Sequence, residues 1–511
     1  MADERKSSTG LVAVLLGRLD IVTAVSSALV VFVVYIFGRA IYDLYFGPLR
    51  KYPGPKLAAV SRFPFFWAAY NGDIHTWVSA QHAKYGKVVR ITPTDLSYID
   101  GQAWKDVYGH RIGTTGNIPK DPKFYGSAPN GVPSLVHGID DPAHSRVRKI
   151  FANAFSDKAL KEQEVLFKTY VDMLFGVLKQ GTKKDPSKAF NMVNLYNFTT
   201  FDIMGKLTFG EDLKLLEKNE YDPWVAVIFQ GVKENSRARA MRNFPLFITL
   251  EPYISGEAMN KKRIAHFNYS ADRVDHRLAA KSDQPDIWNL VMRQKERYGL
   301  SVGEMHSNAS LFMLAGTETT ATLLSGVTFH LLKNPDKLAK LTTEIRTAFA
   351  TEEDITIESL AQLKYLHGCL EEGLRMYPPV PVGFPRTVPA EGATICGDFI
   401  PGGTSVCLSQ WAAYESELNF TSPKAFMPER WLDDERFAGD DKSVFQPFSY
   451  GPRNCLGKNL AYHEMRIILA TVLWQFDLEL CPESTAWADQ KVYTLWDKPP
   501  LMCTLHPIRD V

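Results

Sequence analysis

The sequence predicts a mainly α protein with small β-sheets, a long central helix and one N-terminal transmembrane helix. Three observations carry this. Apolar and polar residues alternate with helical period through most of the 511 residues. Ser301 to Leu332 reads as one unbroken helix, opened by the capping box Ser301-Val-Gly-Glu304 and closed at Asn334-Pro335. At about 1.5 Å per residue it reaches nearly 50 Å, enough to cross a whole domain. Finally, Ile21 to Phe37, IVTAVSSALVVFVVYIF, carries no charge, and its length is at the lower limit for spanning a hydrocarbon core of about 30 Å.

Arg18 and Asp20 precede that apolar run, whereas Arg39, Arg50, Lys51 and Lys56 follow it. The positive-inside rule then places the bulk of the chain on the cytoplasmic side. GRAIYDLYF offers no good small-residue cleavage site, so the segment is read as an anchor, not a signal peptide. GPLRKYPGPK follows, where two Gly-Pro pairs and a third proline stop any helix and give a stiff, extended connector. The expected organisation is an N-terminal flank over 1–20, an anchor over 21–38, a connector over 39–56 and one large domain over 57–511. Within it, Asp73 caps a helix that ends at Gly86, and KVVRITP and DLSYID read as short strands. Asp141–Phe155, Lys158–Lys179, Asn197–Leu207, Asp286–Tyr298 and Pro335–Thr351 read helical, and strands return between Arg386 and Leu408 and near the C-terminus.

Composition excludes several classes. A formal net charge of +1 gives no footprint for nucleic acid. All six cysteines lie beyond residue 368 with no CxxC pair, against a disulfide framework or a cysteine zinc site, and the reading is a reducing compartment. The sequons at Asn197, Asn268, Asn308 and Asn419 then carry no glycan.

The chemistry concentrates in FSYGPRNCLG, Phe448 to Gly457. Five specified positions (Phe448, Gly451, Arg453, Cys455, Gly457) match by chance about once in 10⁴ chains. Buried cysteines are most often small hydrophobes, but Cys455 stands just before an amphipathic helix whose N-terminal N–H groups favour a thiolate. The physical reading is a thiolate ligand to haem iron. Gly451 and Gly457 would allow close approach to a flat ring, Arg453 would pair with a propionate, and Phe448 would wall the sulfur from water. In the middle of the long helix, AGTETT puts small Ala315 and Gly316 beside Glu318 and Thr319, whose hydroxyl can bond back one turn. EEGLRMYPP sets Glu372 and Arg375 three apart on a helix face, within pairing distance.

The cysteine loop resembles that of the cytochrome P450 superfamily, and the other landmarks follow in the family's order over nearly the whole chain. PLRKYPGPKLAAVSR and RNCLGKNLAYHEMRIILA look most like fungal membrane-anchored secondary-metabolite monooxygenases, similar to averantin hydroxylase and isotrichodermin hydroxylase. The resemblance implies haem b with Cys455 as axial ligand, and a proton-managing role for Glu318 and Thr319. It makes Glu372, Arg375 and Arg430 (of FMPERW) a structural triad. It places His144 and Arg148 of HSRVR and Arg386 of GFPRTVP as cations at the propionates, with Ala315 above the ring. Phe312, Val382, Phe384 and Trp496 are expected on the substrate wall, with contributions from 110–135 and 225–250.

The implied activity is insertion of one oxygen atom from O2 into a bulky hydrophobic molecule, a polyketide, terpenoid or alkaloid intermediate. No dinucleotide fingerprint is evident, so NADPH is used indirectly, through an NADPH–cytochrome P450 reductase on the endoplasmic reticulum membrane, with cytochrome b5 as an optional second donor. Arg146, Lys149 and Lys458 are the expected contacts for the reductase's acidic surface. A haem-thiolate isomerase or dehydratase would not need the Glu318–Thr319 pair, and a non-catalytic haem protein would oxidise nothing even with reductase present.

Overall fold

The structure, a computed structural model, describes residues 2–111, 116–125, 128–138, 141–244, 257–280 and 286–508. Helices dominate, and the described strands form four small sheets. The largest has the strand order Val88–Thr92, Asp95–Tyr98, Ser405–Leu408, Arg386–Thr387. Its first two strands form an antiparallel hairpin, and Asp95–Tyr98 then runs parallel to Ser405–Leu408, with Leu96 opposite Val406. A parallel pair needs a long crossover. Here most of the helical domain is that crossover, and closing it carries the segment with Arg386 back against the N-terminal third.

The first helix, Ala2–Ile41, is continuous, and the most apolar 18-residue window within Val22–Phe46 has a mean hydropathy of 2.1 with none of that window buried in the protein. Exposed valines, Phe32 and Phe37 on every side of such a helix are unfavourable in water and favourable in lipid. The helix outruns the expected anchor. It ends in one wide turn at Tyr42–Phe46 and only Gly47 leaves it, because RAIYDLYF holds no breaker before Gly47-Pro48. The extended connector is therefore only the second half of 39–56. Buried Arg90 ties this region down by donating to Asp43 O and Pro93 O, each at 2.7 Å.

The expected helix over 158–179 is two, Asp157–Glu162 and Glu164–Lys184. Gln163 separates them: its N–H closes on Leu160 O, while its carbonyl accepts Leu166 N and Phe167 N to start the next helix. Asp73 does not cap its helix; its carboxylate pairs instead with Lys491 at 2.6 Å.

The central helix, Val302–Lys333, has both halves of its capping box formed. It packs against Met192–Phe209, Glu257–Ala279, Lys364–Met376 and Lys458–Gln475, a span that makes it the axis of the core. A Cβ at Gly373 would stand 2.1 Å from Val327 Cγ2, so the absent side chain lets Lys364–Met376 lie tight on that axis.

Glu464, on the helix Lys458–Gln475, is fully buried. Burial pushes its carboxyl up to about 8, against a weaker pull from the Thr320 hydroxyl. The folded chain thus keeps a proton that the unfolded chain releases near 4.5. Stability from this group is complete below that value and is lost as pH rises through about 8. Glu464→Gln, a neutral isostere, should stabilise the protein by about 2–3 kcal/mol more at about pH 8 than at about pH 5.5. Thermal melts at the two pH values check it, and an equal shift at both contradicts the buried neutral acid.

Candidate active site

The cysteine loop is closed by its own backbone: Cys455 N donates to Phe448 O at 2.8 Å and Asn454 N to Gly451 O at 3.1 Å. Gly451 has φ +74°, and a Cβ there would lie 2.1 Å from Tyr108 O. Its role therefore differs from the expected clearance for a ring: it seats the loop on the backbone of Tyr108–Gly109. Gly457, by contrast, has nothing within 4 Å of where a Cβ would stand. It immediately precedes the helix Lys458–Gln475, so that helix's free N–H end faces the sulfur. Burial pushes the Cys455 thiol up, while the Gly457 N–H, then the charges of Arg148 and Lys458, pull it down. Protein packs densely around Cys455, yet the residue keeps an exposed surface on a loop otherwise half-buried. Phe448 packs on Tyr462, ring centroids 5.2 Å apart, between loop and helix.

The expected propionate cations sit around this loop, with different partners. Arg148 donates to Asn454 O at 2.7 Å and Asn454 Oδ1 at 2.6 Å, bracing the residue beside Cys455. Arg453 clasps Asp141 Oδ1 through Nε and Nη2, at 3.1 and 2.7 Å, and also donates to Gly138 O. Around His144, burial, then Arg453, Lys120 and Arg148, push the imidazole down to about 3, toward its neutral form. Arg386 is buried, donates to Ile118 O at 3.1 Å, and keeps a buried Nε with no partner.

Lys120 escaped the sequence reading. It lies in NIPKDPKFYG, where prolines erase any period that would mark it. The chain bridges Lys120 to Arg386, and its buried ammonium donates to Leu135 O and Val136 O at 3.0 and 2.6 Å. Burial, then Arg453 and Arg386, push it down to about 6. Lys120, Arg386 and Arg453 thus crowd one region, and Asp141 is the carboxylate among the described residues that they meet. A lysine pushed toward its neutral form by two neighbouring guanidiniums, and an orphaned Arg386 Nε, are what the carboxylates of a cofactor would relieve. Together with an accessible Cys455, open space at Gly457 and exposed Ala315, the residues fit haem.

On the central helix Thr319 Oγ1 donates to Ala315 O at 2.8 Å, and Thr320 bonds back to Gly316 O at 3.3 Å. The helix nevertheless stays α-helical throughout. Glu318 lies on another face, buried and ion-paired to Lys498, each side chain 4% exposed. Lys498 also donates to Thr322 Oγ1 at 2.6 Å. Burial raises Glu318, and Lys498 pulls it back. WDKPP carries no motif, so sequence reading could not find Lys498.

Glu372 receives Arg375 through Nε at 2.9 Å and Nη2 at 2.7 Å, Arg430 Nε lies 3.4 Å away, and all three side chains are fully buried. Asp440 completes the group by pairing with Arg430.

A half-open cavity of about 150 Å³ lies between the helix Phe63–Tyr70, the largest sheet and the helix Pro223–Met241. Val382 lines it, and Phe384 sits between its lining residues Gly383 and Pro385. Phe312 and Trp496 do not: Phe312 packs against Phe151 and Phe155 at 4.9 and 5.3 Å, and Trp496 stacks on Tyr377 at 4.5 Å and donates to Pro378 O. Both are core residues, because helix period and aromatic character do not tell a cavity wall from a packed interior. Of the two segments expected to contribute, 112–115, 126–127 and 245–250 lie outside the described residues. Lys149 and Lys458 are exposed, whereas Arg146 is held by Glu304 and Gly299 O.

Comparison with known proteins agrees with this geometry. The cytochrome P450 family model matches residues 53–503. The cytochrome P450 monooxygenase efuB of Hormonema carpetanum is 51% identical over 486 residues, 94% of this chain and 96% of its own. The cytochrome P450 monooxygenase FUM2 of Gibberella moniliformis is 46% identical over 90% of this chain and 98% of its own. The cytochrome P450 monooxygenase lcsI of Purpureocillium lilacinum is 44% identical over 96% and 95%. A cysteine loop at a helix N-terminus, a buried Arg386 with an orphaned donor, and relatives that align over nearly their whole length agree: the chain belongs to the cytochrome P450 family.

Proposed function

We propose that this cytochrome P450 monooxygenase inserts one atom of O2 into a bulky hydrophobic intermediate of secondary metabolism. Two electrons come from NADPH through a membrane-bound reductase, and the second oxygen atom leaves as water. The observation that carries the reading is the cysteine loop at the start of the helix Lys458–Gln475, where the Gly457 N–H, Arg148 and Lys458 offset part of the burial that raises the Cys455 thiol. Haem, when bound, supplies the oxygen activation. The chain's own part is to hold Cys455, anchor the carboxylates with Arg386, Lys120 and Arg453, and keep water out. Glu318 and the Thr319 hydroxyl hold the protons that the reaction consumes. The exposed apolar helix supports tethering to the endoplasmic reticulum, with the domain on the cytosolic side.

The test supplies purified full-length protein in phospholipid discs with NADPH–cytochrome P450 reductase, NADPH and ¹⁸O2, and screens apolar polyketides and terpenoids by mass. A product carrying one ¹⁸O atom and dependent on reductase is expected. Conversion that needs no reductase and incorporates no ¹⁸O points instead to the isomerase class.

Lys498 gives a sharper check on the proton-handling role. Without it, Glu318 is a buried carboxyl with no counter-charge and stays protonated. Lys498→Met should lower product formation by about tenfold, a barrier change of about 1.4 kcal/mol, and release more hydrogen peroxide per NADPH. Lys498→Arg should restore most of the coupling. Peroxide yield unchanged in Lys498→Met removes Glu318 from the proton path.

A further inference from the structure

The half-open cavity is walled mainly by apolar groups, among them Phe65, Phe124, Val382 and Trp411. One cation on its wall stands out. Arg239, on the helix Pro223–Met241, reaches the cavity with its guanidinium carbon 4.1 Å from the centre of the Phe124 ring. Among the described residues its hydrogen bond is a single one, Nη1 to Thr494 Oγ1 at 3.2 Å. Among the described residues no carboxylate pairs with it. The cavity's two acids are engaged elsewhere: Asp95 is bound by Arg62 at 3.2 Å, and Asp121 accepts the Lys123 N–H at 2.9 Å.

This is an unusual place for a guanidinium. Arg239 is half-buried against apolar walls, where a charge is costly unless paired and hydrogen-bonded, and arginine offers five donors. Burial pushes Arg239 down to about 10, with Arg242 adding to the push and Tyr125 opposing it. It still carries its charge near neutrality, so the cost is met by the Phe124 face and one hydroxyl. The neighbouring Arg62, on the same wall, shows the ordinary solution, two contacts to Asp95. Arg239 lacks that solution, and its remaining donors face a cavity whose other walls favour hydrocarbon.

We infer that Arg239 is a specificity-determining residue that seats a carboxylate of an otherwise apolar substrate. The inference rests on the monooxygenase reading for the word substrate, but the site is defined by binding alone. A planar guanidinium matches a carboxylate through two parallel N–H donors, whereas an ester or alcohol accepts singly and without charge. The Phe124 ring holds the guanidinium plane, and Thr494 fixes its rotation. The apolar wall then sorts the rest of the molecule by bulk.

The experiment is equilibrium dialysis with the full-length, haem-loaded protein in phospholipid discs. The probes are hexadecanoic acid and abietic acid, each against its own methyl ester, so one flexible and one rigid frame are covered. At least one acid should bind about ten- to a hundredfold tighter than its ester, the range of a charge-assisted hydrogen bond in a dry site. Arg239→Gln should erase that preference while leaving ester affinity unchanged, and Arg239→Lys should recover part of it. The CO-difference spectrum of each variant reports that the fold and haem site are intact. Acids and esters binding alike, no binding by any probe, or a preference that survives in Arg239→Gln overturns the inference. Dialysis needs no turnover, so a failure of the monooxygenase reading appears separately, as absent ¹⁸O incorporation with acid binding retained.

Discussion

Cys455→Ala should yield a folded protein that has lost the thiolate-type CO-difference band and at least about a thousandfold of its turnover, about 4 kcal/mol of barrier. The two halves of this result have separate causes. The loop is held by bonds that alanine keeps: Cys455 N to Phe448 O, Asn454 N to Gly451 O, and Arg148 to the carbonyl and amide of Asn454. Gly451 still rests on Tyr108. Circular dichroism and the melting profile of the chain should therefore change little. What alanine removes is the sulfur, whose anionic form the Gly457 N–H, Arg148 and Lys458 support against the opposing effect of burial. Cys455→Ser should fail in the same way, since a hydroxyl in that environment does not ionise near neutral pH. A variant that keeps the thiolate-type band would falsify the assignment of Cys455.

Motifs with local grammar were legible. The capping box at Ser301, the stop at Asn334-Pro335 and the hairpin from Val88 to Tyr98 form as their residues dictate, because each depends on neighbours in sequence. Thr319 bonds back to Ala315 for the same reason. What escaped depends on distant partners. Lys120 matters because strand pairing sets it beside Arg386, and Lys498 because the C-terminal segment returns to the central helix at Glu318. Neither pairing leaves a period or a spacing in the chain. Trp496 and Phe312 show the converse: aromatic character suits a cavity wall and a packed core alike, and packing against Tyr377 and Phe151 decides their place. Composition marks the apolar N-terminal helix, but its end follows from the unbroken helical run before Gly47, not from the prolines beyond it.

The other large effect belongs to the buried triad and tells structure from catalysis. Arg375 uses all five of its donors. Nε and Nη2 bind Glu372, Nη1 binds Tyr414 O and Pro423 O, and Nη2 also binds Ala425 O. Glu372 is as fully engaged, accepting Met427 N and Trp431 Nε1 besides the arginine. Five chain positions between Tyr414 and Trp431 are thus fixed by one ion pair, just before the cysteine loop begins. Lysine keeps the charge but has three donors and no planar fork, so Arg375→Lys orphans backbone carbonyls that water cannot reach. Glu372→Ala leaves two arginines buried without their shared anion. Each change should cost about 3–5 kcal/mol, a large share of a domain's roughly 5–15 kcal/mol. Expression at 37 °C should give aggregated or haem-free protein. Expression near 18 °C should rescue a fraction with a normal CO-difference band, normal peroxide yield and a lowered melting temperature. A catalytic role predicts the opposite pattern: full stability, with the loss confined to turnover.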